Sequence, residues 1–496
     1  MLKCSVGMTQ PASRPSSLDH LTISSCTSSR SMESPPPSPP HFLFVTNPMQ
    51  GHINPTRRLA ARVTASNPDA RVTFCTAVSG HRRMFPALAS PDAEAVDAAG
   101  VLHVPYSDGF DDGYDPAVHG AGTYAARARA AGRDTLSAVV ARLAARGRPV
   151  TRMVYTFLVP WVPDVARAHG VPAALFWIQP AAVFAVYYRY FHGHGAALAA
   201  CGGDPDPDAA AQLPGLPPLK SSELPSVVSI TSPEHRHYQL LDMVRDLFLS
   251  LDEHRPKVLV NTFDALEPDA LRAVPQFELA AVGPVVLDEA SPPSSSADLF
   301  RRHDATSYME WLDTKPARSV VYVSFGSFLT MSKRQAEEMR RGLKATGRPY
   351  LWSRKKGAAG AGDGEGHARG MVVEWCDQVR VLSHPAVGCF VTHCGWNSAL
   401  ESVTSGVPMV AVPQWTDQPT VAWLVEACMS AGVRARVDDE RVMERGELQR
   451  CVEMVMGDGE AASVIRAQAD RWRELAAEAV GRGGTSELNL RAFASR

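Results

Sequence analysis

No stretch of about 20 uninterrupted apolar residues occurs in the chain, which excludes an ordinary membrane-spanning helix. The most apolar segment, from Pro172 to Phe191, is broken by Gln179, Pro180 and Arg189 and reads as a buried strand followed by a helix. Neither sign of charge is in excess: 50 Lys and Arg stand against 52 Asp and Glu, a formal charge of −2. That balance supplies no footprint for nucleic acid or an anionic membrane, so a small-molecule partner is expected. Cysteine is scarce, nine residues scattered without tight pairing, which fits a reducing compartment and predicts no structural disulfide. Cys389, His393 and Cys394 stand close together but lack the spacing of a zinc clamp, so no metal is expected there. The strand-to-helix Gly-x-Gly-x-x-Gly turn of a dinucleotide fold is missing as well, which argues against a dehydrogenase with paired Rossmann domains.

What is present is a chain of 496 residues, 45% hydrophobic and 21% charged, long enough for two globular domains. Residues 1–40, rich in Ser and Pro, have too little apolar content to fold and lack a secretory h-region, so they read as a disordered tail. Translation from Met32 is one alternative for this tail, and a transit peptide another. From residue 41 short apolar runs alternate with amphipathic ones. HFLFVTN (41–47), RVTFCTA (71–77), RMVYTFL (152–158), PAALFWI (172–178) and KVLVNTF (257–263) read as buried strands of a doubly wound α/β domain. After the Pro/Ser-rich stretch 291–300 the alternation restarts with SVVYVSFGS (319–327), YLWSRK (350–355), MVVEWC (371–376), AVGCFVTHC (386–394) and PMVAVP (408–413), a second such domain. Two doubly wound sheets imply a cleft, with chemistry at the carboxyl ends of the strands. The Gly-rich insert 358–370 reads as a mobile surface loop.

The segment from Trp375 to Gln418 carries the densest chemistry. Strand 386–394 delivers His393, and Gly395 turns the chain into the helix WNSALESV, whose free N–H groups attract phosphate. Asn397 and Ser398 add side-chain donors in the first turn. Glu401, one turn on, places a carboxylate where a ribose diol would lie. Trp375 offers an indole for stacking on a base, and Asp417 with Gln418 offers groups suited to sugar hydroxyls. Singly, Asn397 and Ser398 also fit a plain helix cap, Trp375 a core residue and Glu401 a solvated face.

Taken together, Trp375 to Gln418, with HCGWNS at 393–398 and the closing Asp417-Gln418, resembles at full length the signature of the plant secondary-product UDP-dependent glycosyltransferases. The resemblance covers residues 41–496. It implies a GT-B fold, two Rossmann-like domains facing a cleft: an acceptor-binding domain at 41–275, a UDP-sugar-binding domain at 276–478, and a C-terminal helix at 479–496 returning to the first domain. It further implies that Trp375 stacks on uracil and that Glu401 binds ribose. His393, Gly395, Trp396, Asn397 and Ser398 would hold the diphosphate, with Ser327 meeting phosphate and Gln378 part of the donor site. Asp417 and Gln418 would grip the hexose, Gln418 favouring UDP-glucose.

The turn after the first strand reads PMQGHINP, with Asn54 suited to cap and Pro55 to open the next helix. That puts His52 in a crossover loop at the cleft, where an imidazole can take the proton of an acceptor hydroxyl. The resemblance gives the GHxNP histidine this catalytic role. It also leads one to expect an Asp about a hundred residues later, where VYTFLVPW (154–161) has Thr156 instead. A hydroxyl can bond the ring but cannot stabilise an imidazolium as a carboxylate does, so the preferred acceptor is expected to be already acidic, a carboxylic acid or an activated phenol. FWIQPAAVFAVYYRYF (176–191) and LPGLPPLKSSELPS (213–226) resemble the branch that includes crocetin, plant-hormone and anthocyanin 5-O glucosyltransferases. The expectation is therefore an inverting, metal-free, cytoplasmic and monomeric glucosyltransferase using UDP-glucose as co-substrate and a small lipophilic plant metabolite as acceptor. The rivals are a UDP-sugar epimerase or hydrolase, which would release UDP without acceptor, and a non-catalytic UDP-sugar sensor.

Overall fold

The computed structural model describes residues 39–120, 122–203, 206, 209–235, 237–286, 305–326, 331–354, 369–438 and 440–495. The expectations for the tail up to residue 38, for the insert at 358–368 and for Ser327 fall outside these described residues.

The first half forms an eight-stranded sheet. Its strands are β1 (His41–Thr46), β2 (Arg71–Thr76), β3 (Ala95–Val96), β4 (Leu102–His103), β5 (Arg152–Thr156) and β6 (Ala173–Trp177), then, beyond a small hairpin of β7 (Ala210–Ala211) and β8 (Leu219–Lys220), β9 (Lys257–Val260) and β10 (Leu279–Ala281). Their order is β10-β9-β6-β5-β1-β2-β4-β3, all pairs parallel except β3 with β4. The second half holds a six-stranded parallel sheet of β11 (Val320–Ser324), β12 (Tyr350–Ser353), β13 (Gly370–Val373), β14 (Val387–Thr392), β15 (Met409–Ala411) and β16 (Gly432–Arg434), ordered β13-β12-β11-β14-β15-β16. These strands read as continuous apolar runs because both faces are covered. Val320 and Tyr322 of β11 join one core, while Val321 and Val323 join the core on the opposite face, as the period of two dictates.

Two sequence expectations need correction. The domain limit placed after residue 275 falls before β10, which pairs with β9 in the first sheet; a three-residue strand is too short to show periodicity. The helix expected to open at Pro55 begins at Gln50 and runs to Ser66, with Pro55 inside it. His52 therefore sits in the first helical turn rather than in a loop. Pro55 is tolerated because the carbonyl it leaves unpaired, that of Gly51, accepts the Asn397 side-chain amide from the second half at 2.9 Å.

The last helix, Thr485–Ala494, packs on the first sheet. Phe493 meets Phe42 at 5.7 Å between ring centres, and its carbonyl accepts from Arg152 at 2.9 Å. The Pro172–Phe191 segment forms β6 and the helix Ala181–Arg189. Among the described residues no helix is long and apolar enough to cross a membrane, and the seven described cysteines are all free.

Candidate active site

Residues from both sheets line one cleft of about 1450 Å³. From the first sheet come the segment Asn47–His52 after β1, Phe157 and Leu158 after β5, and Ile178 and Gln179 after β6. From the second come Ser324–Gly326 after β11, Trp375 after β13, His393 after β14 and Trp415–Gln418 after β15. All lie at the carboxyl ends of their strands, where parallel sheets leave room for ligands.

The His52 side chain is set by a chain of hydroxyls. Thr46 Oγ1 donates to the Asn47 carbonyl at 3.3 Å. Thr46 Oγ1 also lies 3.2 Å from Thr156 Oγ1, a pair in which either hydroxyl can donate. Thr156 Oγ1 lies in turn 3.1 Å from His52 Nδ1. In the tautomer that donates its Nδ1 proton to Thr156, the Nε2 lone pair is free to take a proton. Burial drives the His52 pKa down to about 3, and Phe157 packs on the ring at 4.9 Å between centres, so the imidazole is neutral across the physiological range.

In the second half, Gly395 N-caps the helix Trp396–Ser405. The His393 ring lies between two glycines: a Cβ on Gly326 would come within 2.8 Å of its Nε2, and one on Gly395 within 2.6 Å. Burial lowers the His393 pKa to about 4, against a hydrogen bond with the Ser324 backbone that favours the charged ring. The Trp396 indole points away from the cleft into the core and donates to the Asn261 carbonyl at 2.7 Å, so toward an anion this residue offers only its backbone N–H. Glu401 is buried rather than a solvated face. It accepts from Gln378 Nε2 at 2.8 Å, and the same amide reaches Ser398 Oγ at 2.8 Å. Trp375 is half-buried on the cleft wall, not in the core. Asp417 and Gln418 are buried; Gln418 Oε1 accepts from the backbone of Gln414 at 2.9 Å and of Trp415 at 3.2 Å, closing the loop on itself. Burial raises the Asp417 pKa to about 6, against hydrogen bonds from Thr416 and Gln179 that favour its carboxylate.

Two bonds cross directly between the helix Gln50–Ser66 and the helix Trp396–Ser405. One is the Asn397–Gly51 contact, and the other joins Arg58 Nη1 to Glu401 Oε1 at 2.6 Å, with side chains 12% and 9% exposed. The site thus brings together every described residue singled out from sequence, with the indole of Trp396 turned away. The sequence reading missed Thr46, Gly326, Arg58 and Gln179. Thr46 and Arg58 act through partners 110 and 343 positions away, which no local spacing signals.

Residues 301–465 match the family model described as UDP-glucoronosyl and UDP-glucosyl transferase. The chain is 44% identical over 468 residues to UDP-glycosyltransferase 75C1 of Solanum lycopersicum, covering 92% of this chain and 98% of the relative. It belongs to the UDP-glycosyltransferases. Crocetin glucosyltransferase, chloroplastic, of Gardenia jasminoides is 42% identical over 468 residues, covering 91% of this chain and 96% of the relative. The crystal structure of Os79 from O. sativa in complex with UDP superposes with a TM-score of 0.79 at 31% identity, covering 92% of this chain and 99% of that one. This UDP-glycosyltransferase is an α/β protein of GT-B fold, as its relatives and its two largely parallel sheets show, and it is an enzyme that transfers a sugar from a UDP-sugar to a small acceptor.

Proposed function

We propose that this glycosyltransferase works with inversion, His52 Nε2 removing the acceptor proton as the acceptor oxygen attacks the anomeric carbon from the side opposite UDP, to give a β-glucoside or β-glucose ester. The observation that carries this reading is the 3.1 Å contact of Thr156 Oγ1 with His52 Nδ1, backed by Thr46, which suits the tautomer that keeps its proton on Nδ1 and its Nε2 free. In the same reading Trp375 stacks on uracil, Glu401 accepts the ribose hydroxyls and Asp417 with Gln418 grips the hexose. Leaving-group charge is met by the amides opening the helix at Gly395–Ser398 and by the His393 ring beside them. These preorganised donors leave no role for a metal in stabilising UDP, so EDTA should not slow turnover.

The acceptor follows from Thr156. A hydroxyl beside Nδ1 can hold the ring but supplies no charge to an imidazolium, so the favoured acceptors are those that release a proton readily, carboxylic acids and activated phenols. The relative named for crocetin supports testing carotenoid acids first. The decisive experiment is an acceptor panel with UDP-glucose read by mass spectrometry, with the product anomer assigned by NMR. Aliphatic alcohols turning over faster than acids and phenols would sink the acceptor reading. An α-linked product would sink inversion, and His52→Ala retaining turnover would sink the base. The reading also takes the enzyme as a cytoplasmic monomer; light scattering and a fluorescent fusion of the full chain test those two points, the plastid being the competing outcome.

A further inference from the structure

Thr416, next to Asp417 in the loop after β15, has a backbone φ of 55°. A β-branched residue is rarely found in this left-handed region, and such conformations persist only where the surroundings hold them. What holds it comes from the other half of the molecule. The Thr416 N–H donates to Ser226 Oγ at 2.7 Å, and the Ser226 N–H donates to the Thr416 carbonyl at 2.8 Å. Both main-chain polar groups of the strained residue are therefore engaged by one serine. Around this pair the segment carrying Ser226 is docked by further contacts. Thr420 Oγ1 donates to the Glu223 carbonyl at 2.7 Å, Arg434 donates to the Ser222 carbonyl at 2.7 Å, and the rings of His237 and Trp415 lie 5.0 Å apart.

The strained residue is coupled to the acid beside it. Thr416 Oγ1 lies 2.9 Å from Asp417 Oδ1, and Gln418 Oε1 pins the same loop from within through the amides of Gln414 and Trp415. Left to itself, Thr416 would relax toward negative φ, rotating the next peptide and with it the Asp417 carboxylate. We propose that Ser226 is a positioning residue for donor-sugar selection: it holds Thr416 left-handed and thereby aims Asp417 at the hexose. This rests on the reading of Asp417 and Gln418 as the hexose grip. Because Ser226 acts on the loop that faces the sugar and not on the helix that faces the diphosphate, its removal should be felt by UDP-glucose and not by UDP.

The test uses the full chain with Ser226→Ala, Ser226→Thr and Asp417→Ala, measuring kcat and KM for UDP-glucose and UDP-galactose and the calorimetric Kd for UDP. Loss of a hydrogen bond to a held loop is worth about a tenfold change, so Ser226→Ala should raise KM for UDP-glucose about tenfold and narrow the preference over UDP-galactose. UDP affinity should stay unchanged, and Ser226→Thr, which keeps the hydroxyl, should restore both parameters. Unchanged KM and preference in Ser226→Ala overturn the inference, as does an equal loss of UDP affinity, which would mark a general structural role. If Asp417→Ala loses hexose preference while Ser226→Ala keeps it, only the role of Ser226 fails. If Asp417→Ala itself keeps that preference, the hexose-grip reading fails first. Should Ser226→Ala melt well below the parent protein, Ser226→Cys, with its weaker donor and acceptor, carries the same comparison.

Discussion

Asp417 and His52 are both pushed by burial toward their neutral forms, and this fixes the sign of the pH dependence. With its pKa raised to about 6, Asp417 is protonated below that value and a full acceptor for hydroxyls above it. With its pKa lowered to about 3, His52 is already an unprotonated base wherever the protein is handled. Turnover per unit of UDP-glucose should therefore rise with pH through an acid limb near 6, and that limb belongs to the carboxylate rather than to the imidazole. A profile of kcat/KM checks this: the limb should vanish in Asp417→Asn and persist in a variant such as Thr156→Val that alters only the surroundings of His52. Thr156 permits a second prediction. In Thr156→Asp a carboxylate would face Nδ1 and favour the imidazolium formed during proton transfer. Each unit by which it raises the His52 pKa is worth about 1.4 kcal/mol, so turnover of aliphatic alcohols should rise about tenfold relative to carboxylic acids. An unchanged ratio would detach acceptor choice from this position. His52 and the departure at Thr156 were legible in the sequence because both sit in recognisable local strings. Thr46 was not, since an unremarkable strand residue becomes part of the site only when β5 is laid beside β1.

At the scale of elements, the ten strands read from sequence each sit in a segment with at least three apolar residues, Met409–Ala411 among them because its flanking valines extend its run. Those missed, β3, β4, β7, β8, β10 and β16, have two or three residues each and leave no period to read. The start of the helix at Gln50 was misplaced because Pro55 looked like an opening residue; the bond that makes an internal proline acceptable is supplied by Asn397, which lies in another element. The cradle of His393 shows the same dependence. Gly326 ends the turn after β11 with φ 72°, and any side chain there would collide with the imidazole. Gly326→Ala should destabilise the protein by about 1–3 kcal/mol through strain and overpacking, and it should weaken UDP binding by displacing His393 from the helix opening. Urea titration and calorimetry report the two effects separately; tight UDP binding in a destabilised variant would show that His393 does not meet the diphosphate.

Across the whole molecule, the two halves are tied on opposite sides. At the cleft the tie is polar: Arg58 with Glu401 and Asn397 with Gly51. Away from it the tie is apolar, the helix Thr485–Ala494 burying Leu490 and Phe493 against the first sheet. The polar ties use the very groups assigned to the donor, so they respond to the ligand, whereas the apolar tie has no such competitor. Its loss should therefore be a pure loss of stability. Phe493 is 2% exposed, stacks near Phe42 and lies 5.0 Å beneath the Arg152 guanidinium, so Phe493→Ala should lower the unfolding free energy by about 3–5 kcal/mol. UDP stabilises by mass action on the folded state whatever the C-terminal helix contributes. The stabilisation it adds, read as the shift of the urea midpoint at saturating UDP, should then be the same in Phe493→Ala as in the parent chain. A smaller shift in the variant would mean that the packing of this helix reaches the donor site, and that the two ties are coupled rather than independent.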